Sequence, residues 1–185
     1  LAYAEANEVH QQEYQRYLTK KTQLDPMTQL FNKNAIENKI HAMIEQANDT
    51  HTRIAVGFLD IDNFRDYNTL YGHQEGDRVI RFVASILKEN INGIVGRNGG
   101  AEFLFCLAAV DSKTTIENEI RTVFEKLQEG LINLETGERM SIPCSIGIFA
   151  ENGSQLHYSY MVQGADAAMY QAKELGKNTY YLNYN

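Results

Sequence analysis

The stretch Ile94–Leu107 reads IVGRNGGAEFLFCL and holds two apolar runs on either side of Asn98-Gly99-Gly100. The runs, Ile94-Val95 and Phe103–Leu107, are rich in the β-branched and aromatic residues that favour strands. An Asn-Gly pair accepts the positive φ angles of a tight turn, so apolar runs on both sides of it indicate a β-hairpin. We therefore predict two antiparallel strands joined at the two glycines.

The rest of the chain alternates between strand and helix patterns. Ile54–Ile61 is short, apolar and β-branched, which is typical of a buried strand. Helices are expected where apolar residues recur every three or four positions. The further predicted elements are helices at 1–24, 34–46, on both sides of Gly72 up to Leu87, at Ile116–Leu131 and at Ser159–Leu175, and strands at Met140–Ala150 and Thr179–Leu182. This order predicts an α/β (α+β) domain with a mixed, mostly antiparallel five-stranded sheet flanked by helices.

Composition limits the class of protein. The 185 residues fit one domain with a short appendage, and 43% hydrophobic with 22% charged residues is typical of a folded globular chain. The 17 Lys and Arg against 24 Asp and Glu give a net charge of −7, which disfavours binding to nucleic acid or to an anionic membrane surface. No apolar run approaches the roughly 20 residues of a spanning helix. We therefore expect no nucleic-acid partner and no direct membrane contact.

The first residues are expected to form a linker. Residues 1–24 lack Gly and Pro, and Asp25-Pro26 ends the helix because the residue before proline disfavours the α region. Their apolar spacing is irregular, so a connecting helix and a coiled-coil dimer both remain open. The chain begins without Met or a signal pattern, which suggests a piece of a longer protein. We assign 1–24 to a linker from an upstream domain and 25–185 to the domain proper.

The two cysteines, Cys106 and Cys144, lie in apolar runs with no Cys or His at metal-binding spacing nearby. Buried free thiols in a reducing compartment are the simpler interpretation, and a disulfide or redox role is the alternative.

Asp60 and Asp62 follow the apolar strand and lie two residues apart, so their carboxylates are expected on the same face at its carboxyl end. Mg²⁺ sites in phosphoryl-transfer enzymes use one or two carboxylates together with substrate phosphates. The alternative is that Asp62 caps the next helix and Asp60 is merely exposed.

Other residues near the hairpin and the last helix could also contact a ligand. Gly99 and Gly100 leave the hairpin tip open to a phosphate or a base, and Glu102 could reach a metal or a ribose hydroxyl. Lys173 and Lys177 are four apart and are expected on one helix face near its carboxyl end. Taken singly, each feature also has a plain structural explanation: a turn, a surface acid, or cations at a helix end.

Six segments in a fixed order resemble motifs of the GGDEF domain family of cyclic di-GMP signalling. They are DPMTQLFNK (25–33) beside D-x-L-T-G-L-x-N-R, FLDIDNFR (58–65) beside F-x-D-I-D-x-F-K, residues 68–77 beside N-D-x-x-G-H-x-x-G-D, RNGGAEF (97–103) beside R-x-G-G-D-E-F, SIG (145–147), and residues 165–178 beside A-D-x-A-L-Y-x-A-K-x-x-G-(R/K)-N. The resemblance covers roughly residues 24–182. It implies a fold like that of nucleotide cyclases and polymerase palms, and condensation of two GTP molecules to cyclic di-GMP.

The resemblance also implies roles for single residues. Asp60 would bind Mg²⁺ or Mn²⁺ through its carboxylate and Ile61 through its carbonyl, and Glu102 would assist the attack of a ribose 3′-hydroxyl or bind metal. The implied nucleotide-binding residues are Asn68 and Asp77 for guanine, Arg65, Lys173 and Lys177 for phosphates, and Gly99 and Gly100 at the turn. Such a local cationic cluster reconciles an anionic substrate with a chain of negative net charge.

The implied partners follow from the family's two-domain chemistry. Two domains face each other, each holding one GTP, so the partner is a second copy, another GGDEF domain or a phosphodiesterase domain. A sensory domain is expected upstream, in a cytoplasmic protein or in the cytoplasmic part of a membrane-anchored one.

The sequence departs from the family pattern at several positions. Ala101 replaces a metal-binding Asp, and loss of a carboxylate ligand should lower metal affinity or activity at least about 10–100-fold. Thr69 replaces an Asp and Gln29 replaces a Gly. Asn90 and Gly93 fall at the family's product-inhibition motif R-x-x-D, and neither is charged, so binding of cyclic di-GMP there is unsupported.

We therefore expect a degenerate domain that keeps part of a GTP and Mg²⁺ pocket, is catalytically impaired, and acts as a regulatory or interaction module. An active diguanylate cyclase is the first alternative. A dimerisation module that binds no nucleotide is the second.

Overall fold

The chain forms six helices and seven strands, and the computed structural model describes all residues 1–185. In chain order the elements are α1 (Ala2–Gln23), α2 (Lys33–Thr50), β1 (Arg53–Ile61), α3 (Phe64–Tyr71), α4 (His73–Asn90), β2 (Ile94–Gly99), β3 (Glu102–Leu107), α5 (Lys113–Glu129), β4 (Leu131–Ile132), β5 (Arg139–Met140), β6 (Cys144–Asn152), α6 (Tyr158–Glu174) and β7 (Thr179–Tyr184).

Five strands form one sheet in the order β2-β3-β1-β6-β7. All neighbouring pairs are antiparallel except β6 and β7, which are parallel. The predicted mixed, mostly antiparallel five-stranded sheet is confirmed, and so is the hairpin of β2 and β3. The central strand β1 is paired along both edges, which fixes its end in space.

Helices cover both faces of the sheet because the side chains of β1 alternate between two cores. Ile54, Val56 and Phe58 pack with α2 and α6 on one face. Ala55 and Leu59 pack with α4 and α5 on the other. Even-numbered residues of β1 therefore face the layer of α2 and α6, which decides where Asp60 points.

Helix α6 lies directly on β6 at Gly147. A Cβ atom at Gly147 would come within 1.9 Å of the Met169 backbone nitrogen, so only a residue without a side chain permits this approach. Lys173 lies one turn further along α6 than Met169. The close contact therefore sets Lys173 over the end of the sheet.

Two predicted boundaries are wrong: the end of helix α5 and the start of strand β6. Helix α5 stops at Glu129 and does not reach Leu131, because Gly130 adopts a φ of 72°. Leu131 instead pairs with Met140 in a separate two-stranded sheet of β4 and β5. Strand β6 then begins at Cys144, four residues later than predicted.

Helix α1 has no buried residue, and its apolar side chains Tyr3, Val9, Tyr14 and Tyr17 are exposed. It ends before Asp25-Pro26, as predicted. No helix of the molecule combines the length and the apolar character needed to cross a membrane.

The two cysteines are free and fully buried, as the simpler interpretation expected. Burial raises the pKa of both the Cys106 and the Cys144 thiol. Buried thiols of raised pKa are poor nucleophiles, so both side chains serve packing.

Candidate functional site

The ends of β1 and β3 bring two carboxylates together. The antiparallel register pairs Asp60 with Glu102 on one side and with Ser145 of β6 on the other. Glu102 shares its face of β3 with Leu104 and Cys106, which belong to the core under α2 and α6. Both acids therefore lie on the sheet face that α6 covers.

A lysine from α6 completes this group. The Lys173 Nζ lies 2.8 Å from the Asp60 Oδ2, and the two side chains are 35% and 27% exposed. The hydrogen bond from Lys173 to Asp60 raises the pKa of the lysine, burial opposes the shift, and the charges of Asp60, Asp62 and Glu102 add to it. We call Asp60, Glu102 and Lys173 the acidic edge.

Asp62 has a structural role that the sequence did not reveal. Its Oδ1 accepts a hydrogen bond from the Ser145 hydroxyl at 2.6 Å, and its Oδ2 accepts one from the Asn178 backbone N–H at 2.8 Å. The N-cap residue of α3 is Asn63, so the idea that Asp62 caps this helix is wrong. Asp62 is only 6% exposed, and both of its oxygens are used to join β1, β6 and the segment before β7.

The hairpin tip is held by its own side chains. Gly99 and Gly100 adopt φ angles of 104° and 51°, the left-handed region that glycine occupies without strain. The Arg97 Nε and one terminal nitrogen donate to the Gly100 carbonyl at 3.0 and 2.9 Å. The Asn98 amide donates to the Glu102 Oε1 at 2.6 Å. The side chain of Glu102 is thus oriented before any ligand arrives.

The segment after α1 is attached to the same hairpin. The Arg97 guanidinium lies 3.4 Å from the Asp25 carboxylate, and its backbone N–H donates to the Phe31 carbonyl at 2.8 Å. The Phe31 N–H donates in turn to the Val95 carbonyl. Opposite charges in two separate motifs are the sequence signal for this contact.

Ala101 offers no ligand group from its side chain. Its carbonyl accepts a hydrogen bond from the Ile61 N–H at 3.1 Å, and its methyl group packs on the core. The hairpin therefore carries a single acid, Glu102.

The oxygen atoms at and beside the acidic edge are suitable ligands for a hard cation. The carboxylates of Asp60 and Glu102 and the carbonyl of Ile61 are oxygen ligands of the kind that Mg²⁺ prefers. No cluster of three or more His, Cys, Asp or Glu side chains is arranged to hold a metal ion. The residues therefore fit Mg²⁺ or Mn²⁺ only where phosphate oxygens and water complete the ligand shell.

A second group lies at the junction of α3 and α4, which break at Gly72 as predicted. The Asn68 Oδ1 is buried without a hydrogen-bond partner. A Cβ atom at Gly76 would meet this oxygen at 1.8 Å, so the glycine makes room for the amide. The half-buried Asp77 comes next in α4 and takes part in no ion pair. We call Asn68, Gly76 and Asp77 the base corner.

The remaining predicted cations lie near the end of β1. Arg65 is exposed on α3. Lys177 lies beyond the end of α6 with a φ of 62°, after Gly176 at 113°, so the expectation that it shares a helix face with Lys173 is wrong. Its Nζ still reaches the Asn63 Oδ1 at 3.0 Å, next to Asp62.

Known proteins match the part of the chain that carries these residues. The family model described as "Diguanylate cyclase, GGDEF domain" matches residues 22–179. The chain belongs to the GGDEF domain family. Diguanylate cyclase DosC of Escherichia coli (strain K12) is 30% identical to this GGDEF domain over 157 residues, which are 84% of this chain and 34% of DosC. The bifunctional diguanylate cyclase/cyclic di-GMP phosphodiesterase MucR of Pseudomonas aeruginosa is 32% identical over 162 residues, 84% of this chain and 23% of MucR. The chain thus spans about a third or less of these relatives.

A solved structure resembles nearly the whole chain. The coiled coil and GGDEF domain of DgcB from Caulobacter crescentus, in complex with c-di-GMP, superposes with a TM-score of 0.88 at 25% identity, over 98% of this chain and 96% of that one. This coverage includes α1 as well as the GGDEF domain.

Two departures from the family motifs have visible structural consequences. Gln29 adopts a φ of 61°, a conformation that glycine would take without strain. The position of the inhibition motif's acid is Gly93, where a Cβ atom would lie 2.1 Å from the Cys106 carbonyl oxygen. The arginine position is Asn90, whose amide donates to the Ile86 carbonyl. A side chain at position 93 would therefore clash with the Cys106 carbonyl, and neither position carries the family's charged residue.

Proposed function

We propose that this GGDEF domain binds a guanine nucleotide but is impaired as a cyclase, and that it acts as a regulatory or interaction module in a larger cyclic di-GMP signalling protein. The observation that carries the proposal is Ala101, which leaves the hairpin with one acid. The acidic edge then has two carboxylates, and Asp60 is already paired with Lys173.

Nucleotide binding is supported by the base corner. A buried polar atom without a partner costs about 1–3 kcal/mol, and a ligand that supplies the missing hydrogen bond removes that cost. The Asn68 Oδ1 is such an atom. Rotation of the terminal amide presents either its oxygen or its nitrogen, and the neighbouring Asp77 carboxylate accepts hydrogen bonds. Guanine offers donors and acceptors on one edge that match this pair of side chains.

The phosphates would lie between the base corner and the acidic edge. Lys173, Lys177 and Arg65 are the cations available there, and the two glycines of the hairpin tip leave the backbone open. Mg²⁺ or Mn²⁺ would be held by Asp60, the Ile61 carbonyl and Glu102 together with the phosphates, and its chemistry would be to neutralise phosphate charge. Glu102 is held by the hydrogen bond from the Asn98 amide.

Helix α1 is the proposed connection to other domains. We assign residues 1–24 to a linker and residues 25–185 to the GGDEF domain proper. The exposed apolar side chains of α1 favour pairing with a second helix, and the DgcB structure that covers 98% of this chain includes a coiled coil. The partner would be a second copy, another GGDEF domain or a phosphodiesterase domain.

An active diguanylate cyclase is the second candidate. Asp60, Glu102 and the two turn glycines are all retained, and relatives such as DosC are named as diguanylate cyclases. Loss of one carboxylate ligand is expected to lower activity at least about 10–100-fold, so a sensitive assay is needed to detect the product.

The test has a binding step and a product step. A fluorescent GTP analogue is titrated into the protein and into Asp77→Ala, which removes an acceptor at the base corner. The proposal expects saturable binding that the variant weakens. Equal binding by both proteins, or none by either, contradicts it.

Product is then measured after incubation of GTP with Mg²⁺ or Mn²⁺ and protein dimerised through a fused coiled coil, because two domains are needed for one product. Little or no cyclic di-GMP from the protein, with a clear gain for Ala101→Asp, supports impairment by Ala101. Strong product formation that is lost in Asp60→Ala, Glu102→Ala favours the cyclase instead.

A further inference from the structure

We propose that Lys173 competes with divalent metal for the Asp60 carboxylate. In the nucleotide-free domain the lysine excludes the metal, and nucleotide phosphates admit it by drawing the ammonium group away. The first part stands on the observed contact alone, and the second rests on the proposed nucleotide function.

The contact is direct, and one partner comes from a strand whose backbone is paired on both sides. The Lys173 Nζ lies 2.8 Å from the Asp60 Oδ2. Asp60 belongs to the central strand, and its backbone is paired with Glu102 and Ser145 on the two sides. A metal ion at this carboxylate therefore competes with the lysine, because two cations close to one carboxylate repel each other.

The other nearby carboxylates have other hydrogen-bond partners and do not pair with Lys173. Asp62 uses both oxygens, toward the Ser145 hydroxyl and the Asn178 N–H. Glu102 accepts a hydrogen bond from the Asn98 amide. Asp60 is thus the carboxylate that has Lys173 as its partner.

Ala101 makes the competition decisive in this chain. An acid at position 101 would give the metal a further carboxylate that Lys173 does not neutralise. With a methyl group there, the charge that attracts the metal is reduced by one, and the side chain that competes for Asp60 is unchanged. The nucleotide-free domain is therefore expected to bind divalent metal poorly.

Phosphate oxygens change the balance because Lys173 can then pair with them. Its aliphatic stem is flexible and its side chain is 35% exposed, so the ammonium group can turn from Asp60 toward a phosphate. The carboxylate then becomes free for a cation. Since coupling between two ligands is reciprocal, metal must strengthen nucleotide binding by the same factor.

The first experiment uses Mn²⁺ alone on nucleotide-free protein. Bound and free Mn²⁺ are measured by electron paramagnetic resonance for the protein and for Lys173→Met. We expect the variant to bind Mn²⁺ about tenfold more tightly. Lys173→Arg keeps the positive charge beside Asp60 and is expected to bind like the parent protein, which separates competition from a loss of folding.

Lys177→Met is the matched control. It removes the same charge from the same region, but Lys177 contacts the Asn63 amide oxygen and no carboxylate of the acidic edge. Its Mn²⁺ affinity should change about twofold or less. Equal affinities for the parent and Lys173→Met overturn the proposal. An equal gain in the Lys173 and Lys177 variants also overturns it, because the effect would then be general electrostatics.

The second experiment repeats the titration with α,β-methylene GTP present. Mn²⁺ affinity should rise in the parent protein and change much less in Lys173→Met, which already has a free Asp60. If the nucleotide binds to neither protein, the proposed function fails, and the nucleotide-free titration still decides whether Lys173 excludes metal. If it binds and both proteins gain equally, the nucleotide-driven displacement of Lys173 is wrong.

Discussion

The base corner and the acidic edge, which we propose to form one nucleotide site, differ in how their polar groups are satisfied. In the base corner the Asn68 Oδ1 is buried without a partner, and Asp77 has no ion pair. In the acidic edge Asp60 is bonded to Lys173 and Glu102 is bonded to Asn98. The corner thus has a polar atom that no protein group satisfies, whereas both carboxylates of the edge have protein partners.

This difference separates binding from chemistry. An unsatisfied buried group is tolerated where a ligand satisfies it, which supports the nucleotide binding that we propose at the corner. In the edge, the Lys173 ammonium group already balances the charge of Asp60. Changes in the corner should therefore act on nucleotide affinity, and changes in the edge should act on metal.

The largest effect is expected at Asn68. Asn68→Leu removes the unsatisfied amide and fills its volume with apolar atoms, so nucleotide affinity should fall about 10–100-fold while the free energy of unfolding rises by about 1 kcal/mol. Fluorescent nucleotide titration and urea unfolding measure the two quantities. A variant that loses affinity and stability together would show that Asn68 is a structural residue, and the two parts of the site would not differ.

Ala101→Asp should raise the Mn²⁺ affinity of the acidic edge about tenfold or more. A new carboxylate beside Glu102 adds a metal ligand, so Mn²⁺ affinity should rise and cyclic di-GMP formation should appear or increase. Nucleotide affinity without metal should not rise, because the added charge repels phosphate. Ala101→Asn, which adds similar volume without charge, is the control and should leave Mn²⁺ affinity near that of the parent.

Gln29→Gly should stabilise the fold without affecting either half of the site. Gln29 holds a φ of 61°, and a left-handed conformation costs a residue with a side chain about 1 kcal/mol. The hydrogen bond from its amide to the Pro26 carbonyl and the greater freedom of unfolded glycine offset part of this gain. We expect an increase of about 0.5 kcal/mol in urea unfolding, with unchanged nucleotide and Mn²⁺ affinity. Reduced stability would mean that the hydrogen bond outweighs the backbone strain.

The smallest effect concerns the pH dependence of the Lys173–Asp60 pair. Folding raises the pKa of Lys173, so the pair contributes stability at pH values below the unfolded pKa of lysine, near 10.4, and loses it as pH rises through the folded pKa. Both side chains are more than a quarter exposed, so solvent screening limits the contribution to about 0.3 kcal/mol. In urea unfolding, the parent should have a larger free energy of unfolding than Lys173→Met at pH 8 to 9. This difference should be smaller at pH 11. A constant difference across this range would mean that lost packing, and not charge, explains the variant.

The sequence predicted the sheet and most helix boundaries because each element carries its own pattern. The hairpin around Gly99 and Gly100, the break at Gly72 and the end of α1 before Pro26 were all readable from local backbone preferences. The short pair β4 and β5 was missed because two-residue strands have no period, and only Gly130 marks where α5 stops.

The candidate site was predicted less completely than the fold. Motif resemblance brought Asp60, Glu102 and Lys173 forward, and the structure places them together. It did not reveal that Asp62 joins β1 to Ser145 and Asn178, since these contacts depend on strand register and on the path of the chain after α6.

The sequence by itself determined the properties that depend on residue identity and spacing. The type of each long element, the oxygen ligands, the missing acid at Ala101 and the negative net charge depend only on which residues are present and on their spacing. Which polar groups are already satisfied was decided by the tertiary structure alone. The partners of Asp60, Glu102 and Asn68 are brought near by strand pairing and helix packing, and contacts between residues distant in the chain leave no periodic trace in the sequence.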